Sequence, residues 1–214
     1  MPGLLEASNL LERFHRGSFR EVVAGAQARL CGATNQNAEA ALRELGLTAE
    51  LLIAALLVKK HSGQIHELIH TIGIAVGLPK ILEPGEEIEQ LSLAAGNTGT
   101  DFDLITNYRL AEFTFIQWRG ADVRRQNKVF KDFYFLAEAI TEKRRELWVV
   151  GRELPIKFFK SGRAVLPIVS DNAKLAKSFS EKYGSEVTTV RDYYLPRSRL
   201  VKIRDLNDVI PNLG

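Results

Sequence analysis

A mixed α/β fold behind a helical N-terminal region is what the sequence predicts, and three features predict it. Much of the first 76 residues carries apolar side chains at the three- and four-residue spacing of amphipathic helices. Residues 101–116 carry acidic and apolar side chains in alternation on either side of a short turn, the pattern of a β-hairpin. The run Leu147-Trp148-Val149-Val150 reads as a buried strand lying between helical patterns. Helix, hairpin, helix, strand and helix in this order give an α/β (α+β) core, a sheet flanked by helices. The expected division is a helical N-terminal region over 1–80 and the α/β core over 81–214.

Each element has its own signal. Leu4, Leu5, Leu10, Leu11 and Phe14 make one apolar stripe, and Phe19, Val22, Val23, Ala26 and Leu30 a second. Ser18 with Glu21 three residues on is a capping-box pattern for the second. After a turn-like 32–37, a helix over 38–45 should stop at Gly46. Thr48 caps the next, and Gly63 should separate it from a helix over 64–76 that ends before Gly77 and Pro79. Ile65, Ile69, Ile72 and Val76 make that helix a core element. Strands over 102–105 and 110–116 form the hairpin, a basic amphipathic helix covers 121–139, and Ser170 or Asp171 caps a helix that Gly184 stops after Tyr183. The last thirty residues show short pieces without a legible order.

Composition narrows the class. Of 214 residues, 45% are hydrophobic and 26% charged, which supplies a core and excludes whole-chain disorder. No apolar run approaches the roughly 18 residues that a membrane span needs. Met1–Glu6 lacks the basic-then-apolar order of a secretory signal, and a lone Cys31 excludes an internal disulfide or a Cys-rich zinc cage. These features lead us to expect a cytoplasmic protein, with Cys31 buried on its apolar stripe. The net charge of +3 hides an asymmetry: residues 1–106 hold 8 basic and 13 acidic side chains, residues 107–214 hold 21 and 13. A basic C-terminal half suits a polyanionic partner.

If the hairpin turns at Asn107-Tyr108, Asp103 opposes Glu112 and Asp101 opposes Thr114, all on one face. Phe102, Leu104, Ala111, Phe113 and Phe115 fall on the other, the core face. Opposed carboxylates destabilise a sheet unless a cation holds them, and oxygen ligands of this kind suit Mg²⁺ or Mn²⁺. The alternative is an acidic solvent face of an ordinary hairpin.

The spacing of Asp103 and Glu112-Phe113-Thr114 resembles the core of the PD-(D/E)xK, or restriction-endonuclease-like, nucleases, and the stretch from Gly85 to Glu138 is similar to a group of uncharacterised bacterial proteins with such a core. The resemblance implies that Asp103 and Glu112 bind a divalent metal, with Asp101 or Glu67 assisting, and that the chain cleaves nucleic acid phosphodiesters. Thr114 stands where the pattern has lysine. Either another cation takes over, with Lys128, Lys131, Arg125 and Arg109 as candidates, or the site is weak or inactive and the chain only binds nucleic acid. The resemblance also carries a helix glutamine over to Gln126. Arg119, just before the following helix, and Arg124, Arg125, Lys128 and Lys131 on it could hold a phosphate backbone. A second patch, Arg197, Arg199, Lys202 and Arg204, could extend that track. The partner expected is nucleic acid, DNA ahead of RNA, for a chain that could form a homodimer.

A second motif competes. His66-Glu67-Leu68-Ile69-His70 matches H-E-x-x-H, which on a helix sets two zinc ligands one turn apart beside a general base. Glu86, Glu87 or Glu89 would supply the third ligand of a zinc peptidase.

Overall fold

The structure is a computed structural model that describes residues 3–14, 25–28, 30–31, 38–93, 102–115, 117–118 and 122–213. The chain forms two compact units, Met1–His66 and Glu67–Gly214. In the first, helix α1 (Leu4–Phe14) matches the first apolar stripe, and α2 (Ala38–Glu44) forms where a helix ending before Gly46 was expected. Gly46, with φ 68°, ends α2 in the left-handed conformation that favours glycine. The Thr48 hydroxyl accepts from Leu51 N at 3.2 Å, as a cap should. The helix that follows, α3 (Ala49–Ile81), runs through Gly63 and Pro79 without a break, where two helices were expected. One glycine costs a helix only about 1 kcal/mol, and a proline near the end removes a single bond. The Ser18 cap lies outside the described residues, and Cys31 is exposed in the turn after residue 30 rather than buried.

The second unit is built on a five-stranded mixed sheet in the order β1 (Ile88–Leu91), β2 (Leu104–Thr106), β3 (Arg109–Thr114), β4 (Arg144–Val149), β5 (Val201–Asp205). The first two pairings are antiparallel and the last two parallel. Leu104 pairs with Ala111 and Ile105 with Leu110, which is the register expected for a turn at Asn107-Tyr108. Helix α4 (Val123–Glu138) makes the crossover from β3 to β4, and α5 (Glu153–Phe159), α6 (Leu166–Val169), α7 (Ala173–Tyr183) and α8 (Val190–Arg197) the crossover from β4 to β5. Asn172 caps α7, one residue beyond the expected Asp171, and Gly184 ends it at φ 51°. Thr189 and Asp192 form a capping box for α8.

Alternation along the strands sorts two cores. Leu110 of β3 and Leu147 and Val149 of β4 face α4, where Phe130, Phe133, Tyr134, Phe159, Phe179 and Tyr193 pack as a cluster of rings. Ala111, Phe113 and Phe115, with Trp148, face Ile74 and Ile81 of α3. Both faces of β3 and β4 are therefore covered. Phe102, expected on the same face as Leu104 and Phe113, instead packs with the α4 cluster, because it precedes β2 and strand alternation does not govern it. Ile69, Ile72 and Val76 are exposed, while Ile74 is fully buried. Helix α3 is apolar on most sides, so spacing alone does not single out its packed face. Among the described residues no helix is long and apolar enough to cross a membrane.

Candidate functional site

Glu112 and Thr114 project from β3 toward α4, and Asp103, just before β2, joins them. The Asp103 carboxylate accepts from Phe113 N at 2.9 Å, which fixes it against the neighbouring strand. The His70 Nε2 atom from α3 lies 3.4 Å from the other Asp103 oxygen. Burial opposes the charge on Asp103, but His70 and the Phe113 N–H hold its carboxyl below the usual range. Glu112 behaves oppositely. Burial, then the nearby Asp132 and Asp103 carboxylates, push it well above the usual range, with Lys128 pulling the other way. Two acids meet here, one favouring the charged form and one the protonated form.

Helix α4 lays a cation beside them. Lys128 Nζ stands 3.3 Å from the Thr114 hydroxyl and 2.6 Å from Asp132 Oδ2. Desolvation alone would lower the lysine, but Asp132 and Glu112 outweigh it and hold the ammonium above its ordinary range. Asp132 is 1% exposed and also faces Lys131 at 3.6 Å. The i, i+4 spacing of Lys128 and Asp132 brings the pair together on one side of the helix. These groups line one part of a cleft of about 1000 Å³ that continues past Phe135 and Glu138 to Lys143, Lys174 and Lys182.

Two of the other lysine substitutes are occupied elsewhere. Arg109, at odd number on β3, faces away from Glu112 and donates to Glu86 at 2.5 and 2.6 Å and to Glu146 at 2.8 Å. Arg125 pairs with Asp122 at 2.7 Å at the start of α4. Of the four candidates, Lys128 is the one hydrogen-bonded to Thr114.

Several expected site residues stand apart. Gln126 is buried and accepts from Arg163, and it is not among the residues lining the cleft. Two positions along a helix turn it by about 200°, so Gln126 faces nearly opposite to Lys128. Arg124 is exposed, and neither it nor Arg125 lines the cleft, whereas Lys131 does. Glu67 is exposed and away from the cleft. Asp101 and Arg119 lie outside the described residues. In the second basic patch, Arg197 lies over the Tyr183 and Tyr193 rings and donates to Glu138, and Arg204 donates to Glu146.

For the H-E-x-x-H pentapeptide, His66 is exposed and His70 faces Asp103. Glu86 is held by Arg109 and Thr106, and Glu89 by Lys143 at 2.5 Å. Among the described residues no three His, Cys, Asp or Glu side chains are arranged to hold a metal together. A cation at Asp103 and Glu112 would therefore lean on two carboxylates, water and substrate oxygens, a coordination that suits Mg²⁺.

Asp132 is the acid that sequence reasoning missed. It follows a basic run and precedes Phe133 and Tyr134, and its i+4 spacing from Lys128 was the available signal. Lys143, Lys174 and Lys182 reach the cleft from separate elements, and nothing local in the sequence joins them.

No protein-family model, curated protein or solved structure matches the chain.

Proposed function

We propose that the chain is a metal-dependent nucleic-acid phosphodiesterase with a restriction-endonuclease-like core. The observation that carries this is Lys128, whose ammonium hydrogen-bonds Thr114 beside the Asp103–Glu112 pair. An acid ahead of one strand, Glu-x-Thr on the adjacent strand and a helix packed beside them follow the order that the resemblance implies. The lysine absent from the strand is supplied one element later.

Asp103 and Glu112 would hold Mg²⁺ or Mn²⁺. When bound, such an ion supplies Lewis-acid stabilisation of charge at phosphorus and a more acidic water. Asp103 favours its charged form, and Glu112, which burial and its acidic neighbours bias toward the protonated form, would have to be ionised to serve as the second ligand. Lys128, kept charged by Asp132, acts as a donor and a fixed positive charge, not as a base. It would orient the attacking water or a phosphate oxygen from the Thr114 side. His70 backs Asp103 and limits its rotation. The lysines farther along the cleft suit a polyanionic backbone, DNA or RNA.

The experiment is cleavage of mixed DNA and RNA with Mn²⁺ or Mg²⁺ by wild type, Glu112→Gln and Lys128→Met. Cleavage by wild type that both variants lose supports the assignment. Binding without cleavage in all three favours a nucleic-acid-binding protein that keeps the cleft and lacks the chemistry.

A further inference from the structure

Resting on the reading of this cleft as a nucleic-acid site, we infer that it takes a single strand, whose bases lie against Phe102, Phe135 and Ile140. Beyond Lys128, the cleft runs along α4 to Glu138. Ten residues at about 1.5 Å each make this roughly 15 Å, room for about four nucleotides stacked at about 3.4 Å. Lys131, Lys143, Lys174 and Lys182 line this stretch, from α4, from the segment before β4 and from α7. Two carboxylates lie along this stretch: Asp132 pairs with Lys128 and Lys131, and Glu138 accepts from Tyr183, Tyr193, Arg197 and Lys182, while Lys143 pairs with Glu89.

Between the lysines, Phe102, Phe135 and Ile140 present apolar surface on the cleft wall. Ile140, at 105% relative exposure, is fully exposed at the rim. Phe135 is partly buried, and Lys174 Nζ lies 5.2 Å from its ring centroid. Phe102 is likewise partly buried. A duplex keeps its base faces stacked on one another and presents sugars and phosphates, so it would dehydrate this wall and gain little from it. A single strand offers base faces to the rings and to Ile140 while its phosphates meet the lysines, the combination by which sequence-tolerant single-strand sites work. Nothing in these contacts requires or excludes a 2′-hydroxyl, so the shared chemistry is a single-stranded polynucleotide.

The test is binding of the full chain, with EDTA present, to fluorescent dT and rU 20-mers and to a duplex of the same length across a salt series. One of the single strands should bind at least tenfold tighter than the duplex, and the tighter of the two names the polymer. Ile140→Ser carries no packing risk and should weaken single-strand binding about fivefold with the salt slope unchanged, as should Phe135→Leu. Lys174→Ala should reduce the slope of log K against log salt by about 0.7. Duplex binding equal to or tighter than single-strand binding overturns the inference, as does unchanged affinity in both apolar variants. Mn²⁺-dependent cleavage separates the two readings. Duplex cleavage lost in Glu112→Gln keeps the nuclease and removes the single-strand inference. Tight single-strand binding without cleavage does the reverse.

Discussion

The Lys128 ammonium lies 3.3 Å from the hydroxyl of Thr114, fourteen positions earlier in the chain. Helix α4 thus returns to the strand a charge that the strand itself lacks. Lys128→Met should lower metal-dependent cleavage by about 10²- to 10³-fold, the usual loss on removing one electrostatic donor from a reacting centre. Thr114→Lys in the Lys128→Met background should restore part of it, since the new lysine starts from the atom the old one touched. Single-turnover cleavage with Mn²⁺ measures both, and wild-type rates in Lys128→Met would remove Lys128 from the site.

Metal binding should couple to pH through Glu112. Burial and the Asp132 and Asp103 carboxylates raise this carboxyl above its ordinary value of 4.5. A raised carboxyl helps the metal-free fold while it is protonated in both folded and unfolded chains. That help is lost as pH rises through the folded value. A divalent ion bound there would take the proton's place, so the rise in Tm on adding Mg²⁺ should grow with pH through that window. Thermal melts with and without Mg²⁺ should show this in wild type and no such trend in Glu112→Gln. A Mg²⁺ effect of equal size in the variant would place the ion elsewhere.

Glu138 has the opposite sign. Burial works against its charge, but Tyr183, Lys182 and Tyr193 hydrogen-bond the carboxylate and bring it down to about 2. Stability from this cluster is present above the ordinary glutamate value and fades as pH falls through about 2. Glu138→Gln should cost about 2–3 kcal/mol at neutral pH, as hydrogen bonds to a charged group do. The deficit in denaturant midpoint should narrow in acid. A deficit independent of pH would mean that packing, and not the carboxylate charge, is what the substitution removes.

Much of the second unit was legible from local pattern. The hairpin register follows from one turn position, and the α4 face follows from Phe130, Phe133 and Tyr134. The pairing of Asp103 with Glu112 needed only that register. What could not be read was long-range. Asp132, Lys143, Lys174 and Lys182 enter the cleft only once α4 and α7 have docked. Gln126 was put on the cleft because spacing gives a helix's angles and not which angle faces the strand. Helix α3 defeated its pattern for a related reason: with Ile and Leu around most of it, Ile72 and Ile74 look alike in sequence, and only packing against Phe115 tells them apart.

That packing depends on Gly73. A Cβ built there would meet the Phe115 ring at 2.4–2.6 Å, closer than any relaxed contact. Gly73→Ala should therefore destabilise by about 1–3 kcal/mol despite the better helix propensity of alanine. Phe115→Leu in the same chain should recover part of the loss. A double-mutant cycle by chemical denaturation gives the coupling, and additive effects would show that the helix shifts freely away from the strand.

Arg109 and Glu112 sit three residues apart on β3 and face opposite sides of the sheet, one inside the Glu86–Glu146 network and one in the cleft. Which side each takes is set by an exposed connection, Asn107-Tyr108. Adding or deleting one residue there would exchange the two faces, bringing the guanidinium among the carboxylates and Glu112 among the rings around Phe113. The number of residues in that turn is fixed, and so is Asn107, whose side-chain amide accepts from Glu87 N at 2.8 Å and donates to Gly85 O at 3.1 Å. In a lineage of such chains, this surface loop should accept substitutions at Tyr108 more readily than at Asn107, and length changes hardly at all.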